Sequence, residues 1–246
     1  MIIHEGPLKK VSFKEQITVR LNKYKSFFLF LSLGLPKLLF LPFKFDLIPS
    51  SVSSGNAIEA TALVTIPNIG TGSAFLISPT KLITARHVIE SLNENDLVSI
   101  EFVKSNGKTK SEAKILFKPN DESNDYAVLE LVKPINDINP LNIGDAGNIQ
   151  INDEVTIIGY PNGLFSCAKA QVTNNELSEN PLLFQMNGGA WSGNSGGPVL
   201  DKYSEDVIGI LITGFEGKFK GLVYAIKINA LLLDPQFISR KIDFRN

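Results

Sequence analysis

From residue 57 onward the chain alternates short apolar runs with polar breaks. The pattern predicts strands over Ala57–Ile66, Ser73–Ser78, Lys81–Thr84, Leu97–Val103, Ala113–Phe117 and Tyr126–Val132. Further strands are expected at Glu154–Gly159, Pro181–Met186, Pro198–Leu200, Val207–Thr213 and Gly221–Ile228. Ala113, Ile115 and Phe117 alternate with Lys114, Leu116 and Lys118, a partial period of two that suits a half-buried strand. Pro, Asn, Asp and Gly fill most gaps, as in Pro119-Asn120-Asp121 and Pro161-Asn162-Gly163. Many short strands separated by such turns predict an all-β sandwich or barrel. Only Ala230–Phe237 reads as helical, with Pro235 breaking it.

The first fifty residues follow another pattern. They carry eight basic residues against Glu5, Glu15 and Asp46. An apolar stretch, 27–43, is interrupted by Pro36-Lys37. A spanning helix needs about 20 apolar residues, and a charge at its centre is costly. Three readings stay open for this arm: an uncleaved anchor, a signal peptide with a long basic start, or an amphipathic segment docked on the core. They leave the protein either membrane-anchored or exported to a periplasm, with the cytoplasm as the alternative. Small polar residues over 51–56 form a linker, so the expected organisation is an arm (1–50), a linker (51–56) and one folded domain (57–246).

Composition narrows the function classes. Of 246 residues, 43% are hydrophobic and 20% charged, which excludes an intrinsically disordered chain. A net charge of −1 argues against a broadly basic nucleic-acid surface. Cys167 is the single cysteine, so no intramolecular disulfide forms. Two histidines and that cysteine leave too few ligands for structural zinc. Neither the dinucleotide nor the P-loop glycine fingerprint occurs, and no cofactor is expected.

Three motifs carry candidate chemistry. Gly193-Asn194-Ser195-Gly196-Gly197-Pro198 precedes an apolar strand. Glycines beside a serine permit positive φ and leave room for a substrate carbonyl to meet converging N–H groups. The same composition also suits a plain tight turn. Thr84-Ala85-Arg86-His87 closes a strand, and the only other histidine is His4 in the arm, so His87 is the candidate imidazole base. Asn124-Asp125 stands ahead of an apolar strand, where an acid at the core edge can orient an imidazole. Asp121, Ser123 and Asp125 also alternate like a calcium loop, but Tyr126 occupies the place where that loop needs glycine.

The order His87, Asp125, Ser195 is one of the known chain orders of the serine triad. With these motifs the sequence resembles the trypsin/chymotrypsin-like serine peptidases, and within them the HtrA/Deg-type protease domains. The resemblance runs over about residues 57–230. It is also carried by Gly70-Thr71-Gly72-Ser73-Ala74-Phe75, Gly159-Tyr160-Pro161-Asn162-Gly163, Phe184-Gln185, Val207-Ile208-Gly209-Ile210 and Gly221-Leu222-Val223-Tyr224. It implies a double six-stranded β-barrel with the triad between the barrels, the N-terminal arm before it and a short C-terminal helix after it. On that resemblance the protein is a serine endopeptidase acting on polypeptides through an acyl-enzyme. Ser195 is then the nucleophile, His87 the general base, Asp125 its orienting acid, and the amides of Gly193 and Ser195 the oxyanion hole.

Two departures matter. Asn194 stands where digestive members carry aspartate, so activation through an ion pair with a newly cut N-terminus is not expected. With Asn246 as the last residue of the sequence, the PDZ domain usual in HtrA proteins is not expected. For the primary pocket we expect Gly188, Gly189 and Ala190 on one wall and Ile212, Thr213 and Gly214 on another, with Trp191 as a lid. None of these is acidic, so small or apolar side chains before the cut are expected rather than Arg or Lys. Membrane association through residues 27–43 is a further expectation. Two other classes compete: an inactive peptidase-fold binding module, and a membrane-associated scaffold whose arm is the functional part.

Overall fold

A computed structural model describes residues 55–93, 95–121, 123–178, 180–188, 192–212 and 222–242. The arm, with its stretch 27–43, lies outside the described residues, as does the linker over 51–54.

Twelve strands form two closed barrels, and every pairing within them is antiparallel. Strands β1 (Thr61–Ile66), β2 (Gly70–Ser78), β3 (Lys81–Thr84), β4 (Val98–Lys104), β5 (Gly107–Phe117) and β6 (Ala127–Leu131) close in the order β1-β2-β3-β6-β5-β4. Strands β7 (Glu154–Gly159), β8 (Ser166–Asn174), β9 (Leu183–Asn187), β10 (Pro198–Asp201), β11 (Val207–Ile212) and β12 (Leu222–Lys227) close as β10-β11-β12-β9-β8-β7. Closure leaves no strand edge unpaired. Alternation fills each interior: Val98, Ile100 and Phe102 of β4 are buried while Ser99 faces out. Leu76, Leu82, Ile100, Phe102 and Leu129 fill the first barrel, and Phe184, Met186, Val199 and Leu211 the second.

Three local expectations need correction. Gly55–Ala60 is a short helix, α1, rather than the end of a linker and the start of a strand. Ala57, Glu59 and Ala60 are good helix formers, and the strand begins only at the β-branched Thr61. The second concerns β8, for which no strand was expected. Its alternation of Ala168, Ala170 and Val172 with Lys169, Gln171 and Thr173 is weak because alanine contributes little apolar contrast. Third, the C-terminal helix is two helices, α2 (Ile228–Leu232) and α3 (Pro235–Ser239). Pro235 starts the second one, where its missing N–H costs nothing, and Asp234 caps it by accepting from Gln236 N–H at 2.7 Å.

The barrels meet through specific polar ties. Tyr160, at the end of β7, donates its hydroxyl to Thr61 C=O of β1 at 3.3 Å. The Ser73 N–H of β2 donates to Ser195 C=O at 2.7 Å. Helix α3 reaches back onto the first barrel: Phe237 packs edge-on against Phe117 at 5.4 Å between ring centres. Among the described residues no helix is long and apolar enough to cross a membrane.

Candidate active site

Strand register carries the candidate residues to neighbouring barrel ends. Thr84, the last residue of β3, pairs with Ala127, the first of β6. His87 therefore leaves the first barrel at the end where Asp125 enters it. In the second barrel Pro198 pairs with Ile210 and Leu222 with Asn187. The start of β10 and the ends of β9 and β11 thus share one end, which gathers Ser195, Gly188 and Ile212.

His87 sits in a 3-10 turn, Arg86–Ile89. Its backbone N–H donates to Asp125 Oδ1 at 2.8 Å, and its Nδ1 lies 2.6 Å from Oδ2. One carboxylate thus grips both the main chain and the ring. An ionised carboxylate only accepts, so Nδ1 carries the proton and Nε2 is left as the acceptor. Asp125 lies at the apex of a three-residue turn closed by Tyr126 N–H to Asn124 C=O at 3.0 Å. The neighbouring Asp121 is held below the usual carboxylate range by the Ser123 N–H it accepts at 2.9 Å.

The serine turn is threaded into both barrels. Asn194 and Ser195 are buried. Ser73 Oγ donates to Gly193 C=O at 2.8 Å and accepts from Tyr160 N–H at 2.9 Å. Thr84 Oγ1 donates to Ser73 C=O at 2.7 Å. A chain of hydrogen bonds therefore runs from the serine turn to the strand three residues before His87. Gly193 has φ +100° and a side chain there would collide with Tyr160 C=O; Gly196 has φ +85° and a Cβ would lie 2.8 Å from Ala85 N. Only glycine fits either place.

The amide ahead of Gly193 has a fixed direction. Ser192 C=O accepts from Asn162 N–H at 2.8 Å, and Asn162 takes a left-handed conformation (φ 51°, ψ 31°) in the Pro161–Gly163 turn. In a trans peptide the N–H points opposite to the C=O, so Gly193 N–H is aimed away from that turn. Asn194 Oδ1 is buried and lacks a hydrogen-bond partner among the described residues. An ionised aspartate there would bury a charge without a donor, a steep cost that the neutral amide lowers.

Of the expected pocket residues, Gly188 follows β9 and Ile212 ends β11, on the two strands that flank β12. Gly189, Ala190, Thr213, Gly214 and the expected lid Trp191 lie outside the described residues. Among the described residues no cluster of three or more His, Cys, Asp or Glu forms a metal site. Sequence reasoning gave no role to Ser73, Thr84 or Asn162. Ser73 was legible only as part of the Gly-Thr-Gly-Ser motif, since its bonds run to residues about ninety or more positions away.

The family model described as "Trypsin-like peptidase domain" matches residues 72–210. Protease Do-like 5, chloroplastic, of Arabidopsis thaliana is 28% identical over 181 residues, covering 66% of this chain and 55% of that protein. The crystal structure of Deg5 superposes with a TM-score of 0.59 at 24% identity, covering 73% of this chain and 88% of that one. The structure of the HtrA-type protease AlgW with a tripeptide gives 0.61 at 24% identity, covering 77% and 64%. The chain spans between 23% and 55% of the length of five curated relatives that it matches.

Proposed function

Because the chain belongs to the trypsin-like peptidase domain family, we propose that it is a serine endopeptidase that cleaves polypeptides through an acyl-enzyme. The observation that carries this reading is the Asp125 carboxylate holding both the His87 ring, at 2.6 Å, and the His87 main chain, at 2.8 Å. The Gly193–Gly196 turn is tied to the strand that delivers that histidine.

Ser195 Oγ attacks the substrate carbonyl carbon while His87 Nε2 takes its proton. The imidazolium, stabilised by Asp125, returns that proton to the departing amine. Water then repeats the sequence and releases the acid. The oxyanion formed at each attack is received by the amides of Gly193 and Ser195, and losing one such donor raises the barrier by about 3 kcal/mol. A fluorophosphonate probe tests this reading: it labels the wild-type protein and not Ser195→Ala. Folded wild-type protein that takes no label, or a variant that still takes it, overturns the proposal.

The primary pocket on this reading accepts small or apolar side chains, since Gly188, Gly189, Ala190, Ile212, Thr213 and Gly214 include no acid to pair with Arg or Lys. Cleavage profiling on a peptide library should return Ala, Val, Leu or similar residues before the cut. A strict preference for Arg or Lys refutes it.

A further inference from the structure

The turn that presents Asp125 has a second anchor besides His87. Tyr126 follows Asp125 directly, and its N–H closes the turn on Asn124 C=O. Its ring is buried, and its hydroxyl donates to Asp234 Oδ2 at 2.6 Å, a contact 108 residues apart in sequence. Asp234 is buried too, and its other oxygen caps α3 through Gln236 N–H at 2.7 Å. Helix α3 is fastened to the first barrel by Phe237 on Phe117 and by Arg240 Nη1 donating to Leu116 C=O at 3.2 Å. Helix α2, just before Asp234, is fastened elsewhere: Asn229 Nδ2 donates to Asp145 Oδ1 at 2.9 Å and its Oδ1 accepts from Ala146 N–H at 2.8 Å. Asp234 thus stands between two secured helices, a fixed point from which a hydroxyl can be held.

A cavity of about 430 Å³, lined by Asn124, Tyr126, Leu233, Asp234 and Gln236 among others, borders this contact. Close packing does not fill the space between the Asn124–Tyr126 turn and the C-terminal segment. The hydroxyl–carboxylate bond is a polar tie beside it. Burial also pushes the Tyr126 phenol up from its ordinary value, and the Asp234 hydrogen bond adds to the rise.

We propose that Asp234 is a positioning residue: by holding the Tyr126 hydroxyl it fixes the turn whose apex is Asp125, and so sets the carboxylate against His87. This rests on the reading of Asp125 as the acid that orients His87. The C-terminal segment then belongs to the catalytic apparatus, although it touches neither substrate nor reacting atoms. A phenylalanine at 126 keeps the ring packing and loses the tie. An asparagine at 234 keeps a hydrogen bond to the phenol in either orientation of its amide.

The test uses the full chain in a His4→Gln background, which leaves one imidazole. Two signals report the carboxylate without any turnover: the low-field proton resonance of His87 Nδ1–H, and hydrogen exchange at the His87 amide, which donates to Asp125 Oδ1. In Tyr126→Phe and Asp234→Ala the resonance should move upfield by about 1 ppm or more, and the amide should exchange about tenfold faster. Asp234→Asn should keep both signals as in the parent. Ile66→Val trims the first barrel's core at the end of β1 remote from the tie, and should leave both unchanged even where the melting temperature falls. In the same variants kcat should drop about tenfold for Tyr126→Phe and Asp234→Ala at unchanged KM. Signals unmoved by Tyr126→Phe and Asp234→Ala overturn the proposal, as does an equal response in Ile66→Val. If both signals respond as expected while the wild-type protein takes no fluorophosphonate label, the peptidase reading fails and the positioning role stands. If the label is taken while Tyr126→Phe leaves signals and kcat intact, only the positioning role fails.

Discussion

Ser73 takes no part in the proposed chemistry, yet its hydroxyl meets two buried backbone groups from the other barrel at once, Gly193 C=O and Tyr160 N–H. Replacing it by alanine leaves both groups without that partner, at about 1–3 kcal/mol each. For a domain of this size each kcal/mol lowers the melting temperature by roughly 2–4 °C. Ser73→Ala should therefore melt several degrees lower by calorimetry. It should also lose kcat more than it raises KM, because the slackened Gly193 carbonyl belongs to the residue whose N–H we propose as an oxyanion donor. A variant that melts and turns over like the parent would refute both roles. Nothing in the sequence marked Ser73 beyond its glycine-rich setting. By contrast, Gly193 and Gly196 were legible, since a serine between glycines already signals positive φ and crowding.

At the scale of elements, the Pro161–Gly163 turn determines which way one amide points. Asn162 sits at φ 51°, which asparagine tolerates and β-branched residues do not. Asn162→Val should strain the turn by about 1–3 kcal/mol and release Ser192 C=O, lowering kcat. Asn162→Gly keeps both the conformation and the N–H, and should stay within about threefold of the parent. Steady-state kinetics on one peptide substrate checks the pair, and equal losses in both would discard the argument. Some strands with strong apolar residues were legible in the sequence to the residue, as in Glu154–Gly159, but β5 begins at Gly107, six residues before the expected Ala113, because Gly107-Lys108-Thr109-Lys110-Ser111-Glu112 carries no apolar side chain. Strand β8 was not legible, because alanine barely separates an inside face from an outside one. Helix α1 was misread because Ala57-Ile58-Glu59-Ala60 carries no period long enough to tell helix from strand.

Across the whole molecule, two buried tyrosines tie parts that lie far apart in sequence. Tyr160 joins the barrels, and Tyr126 joins the first barrel to the C-terminal segment. Burial raises both phenols, with the Glu101 charge adding to the rise at Tyr160, which is pushed up to about 12. A group whose folded value lies above its unfolded value of about 10 contributes stability that is fully present below pH 10 and is lost as pH rises through the folded value. Urea midpoints should therefore hold steady below pH 10 and fall between about 10 and 12. Tyr160→Phe should fall less steeply over that window. A midpoint independent of pH across that range would contradict this.

By itself the sequence determined the all-β class, most strand positions and the residue types able to form a serine triad. These follow from alternation, turn residues and motif order, all of which are local. The family resemblance had also implied two barrels; tertiary structure alone decided that Asp125 holds the main chain of His87 as well as its ring, and that Ser73, Thr84, Tyr126 and Asp234 tie together the segments that carry His87, Asp125 and Ser195. Those contacts join residues 11 to 120 positions apart. No pattern along a chain encodes such a pairing, because a hydrogen bond depends on where two backbones finish in space.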